Sequence, residues 1–145
     1  MPGWVDAAVD DYCARLPAEI AVEWREIRAE PRSAGSSAAV WLSKEAERIA
    51  GALPQGAWRV VLDERGRDLG TRQLSQRLAH WREQARPVAI LIGGPDGLAP
   101  TLRDCADETV RLSSLTLAHP LVRVVLAEQL FRAWSILSGH PYHRD

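Results

Sequence analysis

Lysine is almost missing from this chain: Lys44 stands alone among 18 basic residues, and all the others are arginine. Arginine's planar fork suits phosphates and base edges. A GC-rich coding sequence produces the same bias, so the excess names no partner by itself. Net charge is missing too. A formal balance of −1 excludes a global basic footprint for nucleic acid and leaves room only for a local one. Cysteine is scarce. Cys13 and Cys105 make neither a metal-binding spacing nor a disulfide framework. Both lie among residues of helical character, where small buried thiols are expected, and a reducing cytoplasm fits. Met1-Pro2-Gly3-Trp4 has neither the basic region nor the apolar run of a signal peptide. No apolar stretch reaches the roughly 20 residues that cross a bilayer. The expectation is a soluble, cytoplasmic protein with no membrane partner.

Tryptophan is abundant where the other aromatics are rare: six, against one Phe and two Tyr. Trp buries a large surface and seeks a partner for its ring N–H, so core and interface packing is the expected use. At 145 residues and 46% hydrophobic, a single domain over residues 1–145 with a sizeable core is expected.

Apolar positions Trp4, Val5, Ala8, Val9, Tyr12 and Leu16 line one face of a helix over 3–16, which Pro17 ends. Alternation of Ile20, Val22 and Trp24 with Glu19, Glu23 and Arg25 predicts a half-buried strand over 20–27. Glu30 to Ser37, with Pro31, Gly35 and three serines, reads as a loop. A helix over 38–52 follows, then a short strand from Trp58 to Leu62 and a charged turn from Asp63 to Asp68. Thr71 is placed to cap a helix running to about Gln84, with Leu74, Leu78 and Trp81 as its stripe. Val88-Ala89-Ile90-Leu91-Ile92 is an unbroken apolar run whose two faces must both be covered, as in a parallel sheet. A short helix from about Pro100 to Asp107, a strand over Thr109–Leu112 and a long helix over Leu121–Leu137 complete the chain. This alternation predicts an α/β fold with a mostly parallel sheet flanked by helices.

Chemistry concentrates in the last third. Gly93-Gly94-Pro95-Asp96-Gly97 follows a buried strand, and ligands in open parallel sheets sit beyond the carboxyl ends of strands. It is neither a P-loop nor a dinucleotide fingerprint, and a tight turn without a ligand reads equally well. Ser113-Ser114-Leu115-Thr116-Leu117-Ala118 offers amides, hydroxyls and apolar contacts that suit an adenosine-like group. His119, just ahead of Pro120, reads as a helix-opening residue before it reads as a catalyst. The long helix is apolar nearly all round, which calls for burial, and a second subunit is the expected cover. Its charges Arg123, Glu128 and Arg132 are satisfied in an interface or functional. The tail His140-Pro141-Tyr142-His143-Arg144-Asp145 is either an ordinary solvated terminus or a source of ring stacking, protons and anion binding. His140 and His143 lack the supporting ligands of a metal site, so no metal is expected. No Ser–His–Asp, Cys–His or paired-carboxylate set stands out, and hydrolase signatures are absent.

Four blocks taken together resemble a known family. They are Leu91-Ile92-Gly93-Gly94-Pro95-Asp96-Gly97-Leu98, Leu115 through Arg123, Arg132-Ala133-Trp134-Ser135-Ile136 and His140-Pro141-Tyr142-His143-Arg144. In order and spacing they are similar to the ribosomal RNA large subunit methyltransferase H family of the SPOUT superfamily. Weaker similarity covers the rest, including Trp4-Val5, Tyr12 and Val60-Val61-Leu62-Asp63. The resemblance implies S-adenosylmethionine-dependent methylation of N3 of a pseudouridine in 23S rRNA, on the assembled ribosome. It implies a C-terminal deep trefoil knot, a rare exception to unknotted topology, and a homodimer in which each pocket is completed by the partner.

By the same resemblance, the cofactor falls to Leu62, Gly94, Ser113, Ser114, Leu115, Thr116, Leu117 and Ala118. The substrate-facing tail is Tyr142, His143 and Arg144, reaching the partner's pocket. Arg144 would hold phosphate or a base edge, and His143 would accept the N3 proton or orient the base. Two departures accompany the match. Family members open with an apolar strand ahead of the Trp4 helix, whereas this sequence begins at Met1-Pro2, so the sheet is expected to lack that strand. The Glu30–Ser37 loop carries Arg32 as its one base, fewer than relatives have. The competing functions are another SPOUT RNA methyltransferase with a different target, and an inactive ribosome-associated binding module.

Overall fold

A computed structural model describes residues 1–94 and 96–144. Pro95 of the glycine turn and Asp145 of the tail lie outside the described residues. The elements follow in the order α1 (Gly3–Ala14), α2 (Ala38–Ala52), β1 (Trp58–Asp68), α3 (Thr71–Glu83), β2 (Val88–Ile92), α4 (Pro100–Asp104), β3 (Glu108–Arg111) and α5 (His119–Ser138). Their contacts divide into two compact units, each built from separated stretches of chain.

The first unit, Arg25–Arg67 with Arg86–Arg111, contains the sheet. Strand order is β2-β1-β3, and β1 and β2 run parallel, with Trp58 opposite Val88 through Leu62 opposite Ile92. Consecutive Val60 and Val61 are both 0% exposed, so both faces of β1 are closed to water. Fully burying a valine stabilises by about 1.5–3 kcal/mol, which explains why this apolar pair sits at the sheet's centre. Helices α2 and α4 supply one cover: Ala46, Leu98, Ala99 and Leu102 cluster with Val61 and Leu91. Around Trp58 the strand ends are tied twice. Its amide donates to the Pro87 carbonyl at 2.8 Å, and its indole donates to Glu108 at 2.7 Å.

Two expectations fail in this unit. The stretch Asp63–Asp68 is not a turn but the second half of β1, hydrogen-bonded into the sheet beside β3. Glu64, Arg65, Arg67 and Asp68 are exposed, so turn-like composition here marks a solvated strand. Gly66 lets the backbones close up: a Cβ there would lie 2.7 Å from the N and C of Val110. Cys105, expected to be buried, is exposed.

The second unit, Met1–Trp24, Asp68–Ala85 and Leu112–Asp145, is helical, with α5 packed on both α1 and α3. Val5, Val9 and Ala127 form a buried cluster, with Tyr12, Cys13, Trp24 and Val124 around it. Trp24 satisfies its indole on Cys13 Sγ at 3.1 Å. Trp4, expected on the buried face of α1, is 54% exposed; Val5, Val9 and Tyr12 of the expected stripe do pack here, and Cys13 joins them. The cap of α3 is Gly70, whose amide donates to Gln73 Oε1 at 2.8 Å. Thr71 is the first helical residue, and its hydroxyl donates to Gln129 at 2.8 Å. α5 buries Leu126, Leu130, Phe131 and Ala133 against its own chain, so part of the cover expected from a second subunit is intramolecular.

The segment from Ile20 to Ile27 is not a strand. Its alternation survives as burial, with Ile20, Val22 and Trp24 half-buried between exposed Glu19, Glu23 and Arg25. A strand also needs a neighbour for its backbone groups, and no described strand pairs with it. No helix among the described residues is long and apolar enough to cross a membrane.

Candidate functional site

Three groups of residues singled out in the sequence occupy three settings. Leu62 and Gly94 share one end of the β1–β2 pair. Leu62 is half-buried opposite Ile92, the last pair of the parallel register, and Gly94 comes two residues after Ile92. Past that point the chain folds back at once. Gly97 N–H donates to Gly94 O at 2.9 Å, and the two residues form an isolated antiparallel bridge. Gly97 has φ +78°, and a Cβ on Gly93 would stand 2.7 Å from the Gly97 carbonyl carbon. A side chain at Gly93 would push this turn open. Gly94 differs: it is exposed, and a Cβ there would meet nothing within 4 Å. The turn therefore presents open backbone at the carboxyl end of a parallel strand, the setting in which α/β sheets take ligands.

The turn is also anchored. Arg32 ion-pairs with Asp96 at 2.6 Å and with Glu45 at 3.2 Å, and its guanidinium lies 4.8 Å from the Trp41 ring centroid. Glu30 pairs with Arg48 and with Lys44, and its amide donates to Glu45 at 3.0 Å. Partial burial works to raise the Glu30 carboxyl, but Arg48 and Lys44 outweigh it and hold that carboxyl below its usual value. Arg32, expected as a rim base for RNA, is thus committed to holding the Glu30–Ser37 loop against Asp96.

The Ser113–Ala118 segment leads into α5. Ser113 and Leu117 are half-buried; Ser114, Leu115, Thr116 and Ala118 are exposed, with Leu115 at 73%. Ser113 Oγ accepts the Leu115 amide at 2.9 Å. Ala118 is the N-cap of α5, and its carbonyl accepts Leu121 N–H at 2.9 Å. His119 opens the helix, as its position before Pro120 predicts. An exposed leucine flanked by hydroxyls is a surface with unspent contact capacity, apolar and polar together.

The tail folds back on its own helix. Gly139, at φ +74°, ends α5, and His140 N–H donates to Ser135 O at 2.9 Å. His140 Nδ1 then accepts the Tyr142 amide at 3.2 Å. The Tyr142 ring meets Phe131 edge-on at 4.6 Å and sits under Arg132, whose Cζ is 4.7 Å from its centroid. Tyr142 Oη donates to Glu128 Oε1 at 3.1 Å. Burial first, then hydrogen bonding with Tyr12 and the charge of Glu128, push the Tyr142 phenol up to about 12. Arg132 donates to Glu128 through Nε at 2.8 Å, pairs with it through Nη2 at 2.6 Å, and contacts His143 Nδ1 through Nη1 at 3.2 Å. The hydrogen bond that Arg132 donates to Glu128 raises Arg132 further above its already high ordinary value. Arg144 is exposed.

Tyr142 and His143 are thereby brought together with Glu128 and Arg132. The sequence pattern left those two open between structure and function. Their i,i+4 spacing on an otherwise apolar helix was the available signal. Gln129 and Thr71 extend the network and carry no sequence signal: Gln129 Nε2 donates to Glu128 Oε2 at 2.7 Å, and Gln129 Oε1 accepts the Thr71 hydroxyl at 2.8 Å. Among the described residues no group of His, Cys, Asp and Glu is placed to hold a metal ion.

A family model described as predicted SPOUT methyltransferase matches residues 1–143. The chain is similar to a protein of Bordetella petrii named ribosomal RNA large subunit methyltransferase H, at 59% identity over 144 residues, covering 99% of this chain and 92% of that one. A Bordetella pertussis protein of the same name is 58% identical over the same shares. One from Methylibium petroleiphilum is 54% identical over 145 residues, 100% of this chain and 93% of that one.

Proposed function

The chain belongs to the ribosomal RNA large subunit methyltransferase H family of SPOUT methyltransferases, and from that premise we propose that it methylates N3 of a pseudouridine in 23S rRNA, using S-adenosylmethionine. What carries the reading is the extent of the match. It takes in every residue implicated above from Leu62 to His143, leaving only Arg144 just beyond it.

The residues present fit the cofactor. Gly94 offers open backbone at a strand end, Leu62 a half-buried aliphatic side chain, and the 113–118 segment hydroxyls, amides and an exposed leucine. Adenosine needs an apolar slot with a few directed polar groups, and these are the types of group on offer. We assign Leu62, Gly94, Ser113, Ser114, Leu115, Thr116, Leu117 and Ala118 to holding it. Bound there, S-adenosylmethionine supplies an electrophilic methyl.

The protein's own part is to bind and orient. Tyr142, His143 and Arg144 face the substrate: Arg144, exposed and always charged, takes a phosphate or base edge. Rate comes chiefly from alignment of the reacting atoms. The family reading extends to a single knotted domain over residues 1–145, a homodimer in which the partner completes each pocket, the assembled ribosome as substrate, and the cytoplasm as location.

The test is methyl transfer from labelled cofactor to whole ribosomes lacking the modification, with the product nucleoside identified. N3-methylpseudouridine in 23S rRNA is the expected product. A different methylated nucleoside points to another SPOUT specificity, and ribosome binding without transfer points to an inactive module.

A further inference from the structure

We propose that Arg32 is a positioning residue for the cofactor site: through Asp96 it fixes the tip of the 93–97 turn from outside, and so sets how tightly the Gly94 backbone takes S-adenosylmethionine. The inference rests on the assignment of Gly94 to the cofactor.

The composition of the turn makes it depend on one side chain. Gly93-Gly94-Pro95-Asp96-Gly97 holds three glycines, the residues with the most backbone freedom to lose. Of the five, Asp96 alone has a polar side chain, so it is the one handle by which a hydrogen-bonding group elsewhere can grip the turn through a side chain. The two ends are fixed by other means. Ile92 is in register with Leu62 in the sheet, and Leu98 and Ala99 are buried in the core cluster. Between those ends the turn closes on itself by the bond from Gly97 N–H to Gly94 O at 2.9 Å. That bond shapes the tip without tying it to another element.

Helix α2 supplies the anchorage, because it carries two stripes. Leu42, Ala46 and Ile49 pack into the cluster that holds Val61, Leu91, Leu98 and Ala99. Trp41, Lys44, Glu45 and Arg48, at i, i+3, i+4 and i+7, make a second face, and all four engage the 28–32 stretch. Arg48 and Lys44 pair with Glu30, and Arg48 Nη1 also donates to Arg28 O at 2.9 Å. Glu45 accepts Glu30 N–H at 3.0 Å and Arg32 Nη1 at 3.2 Å. Arg32 Nη1 donates to Glu30 O as well, at 2.7 Å, and the guanidinium lies 4.8 Å from the Trp41 ring centroid. With Nη1 and the guanidinium face held in this way, Nη2 reaches Asp96 at 2.6 Å. Both stripes of α2 therefore end on the same turn, the apolar one behind it at Leu98 and the polar one at its tip.

Arginine is the residue this needs. Its fork serves Glu45 and Asp96 through different nitrogens while its face stacks on Trp41, which lysine does not reproduce. The two side chains of the Arg32–Asp96 pair are 33% and 39% exposed, so the pair adds little to overall stability. A weak pair still narrows the positions open to a glycine-rich turn, and backbone already placed for a ligand binds it more tightly. The effect on binding therefore exceeds the effect on folding, which separates this role from a merely structural one.

The first test needs no ligand. Hydrogen exchange of the Gly97 amide, followed by NMR in the full-length cofactor-free protein, reads whether the tip is held. R32Q and D96N are each expected to speed it several-fold, whereas K44Q, which removes only the Lys44–Glu30 pair, leaves it as in wild type. Unchanged Gly97 exchange in R32Q overturns the proposal. Calorimetric titration with S-adenosylmethionine is the second arm. R32Q and D96N should each weaken binding about three- to fivefold, and R32K less. The double variant R32Q/D96N should bind no worse than the worse single, because both changes cut one link. Losses that multiply in the double variant show Arg32 acting other than through Asp96, and a lowered Tm with unchanged Kd shows it acting on the fold alone; either result overturns the proposal. If the wild-type protein takes up no S-adenosylmethionine, it is the assignment of Gly94 that fails, and Gly97 exchange still decides whether Arg32 fixes the tip.

Discussion

Gly93 and Gly94 are neighbours, yet alanine should do opposite things at the two. At Gly93 a Cβ stands 2.7 Å from the Gly97 carbonyl carbon, 3.0 Å from its Cα and 3.1 Å from its oxygen. All three are backbone atoms, so no side chain can swing aside, and Gly97 already sits at φ +78°. Overpacking of this kind costs about 1–3 kcal/mol. For a chain of this length that is roughly 2–12 °C in Tm. Because the 93–97 turn must open to relieve it, cofactor binding should fall as well. At Gly94 a Cβ meets nothing within 4 Å and φ is ordinary, so the fold should hold to within about 0.5 kcal/mol. If the backbone of Gly94 approaches the cofactor, however, a methyl there stands in its way, and a loss of at least about 1.4 kcal/mol, or tenfold in Kd, is expected. Thermal denaturation and calorimetric titration with S-adenosylmethionine read the two effects separately. G94A binding as tightly as wild type refutes the assignment of Gly94. G93A melting like wild type refutes the steric account of the turn.

Leu115→Ala makes a parallel case: at 73% exposure the side chain contributes little to the fold, so Tm should barely move while cofactor affinity drops several-fold, and an unchanged Kd removes Leu115 from the site. The Tyr142 phenol, pushed up to about 12, should ionise well above the ordinary 10.0 in an absorbance titration. A raised pKa means its contribution is complete below the unfolded value and is lost as pH climbs from about 10 to 12, so tail docking should weaken there. Y142F should abolish that alkaline step, and its survival would place the titrating group elsewhere. Glu30 has the opposite sign: its lowered pKa gives a contribution present above the usual carboxylate value of 4.5 and lost as pH falls below it. Amides of residues 28–36 should therefore exchange faster as pH drops through that range, after correction for intrinsic rates. E30Q should remove the pH dependence.

The elements the sequence predicted best are those whose burial depends on neighbours a few residues away. The run Val88–Ile92 is β2 residue for residue, and α2 begins and ends at Ala38 and Ala52, the bounds read from the sequence. The misreadings have another origin. Ile20–Ile27 has a strand's alternation, but pairing is decided by a distant segment, and the pattern expresses only which side chains face inward. Asp63–Asp68 has a turn's composition, but Gly66 and Val110, 44 positions on, bring the backbones together. Periodicity reports the burial of side chains. Hydrogen-bond pairing is a property of the backbone, and backbone has no periodicity to read.

The same distinction governs the candidate site. Gly94 and the tail were legible because special residue types are conspicuous in sequence. Gln129 and Thr71 were not, and Glu128 stood open between structure and function, because an ion or hydrogen-bond partner is ordinary until the chain folds back on it. Gly139 at φ +74° makes that fold-back, and the tail then lands on α5.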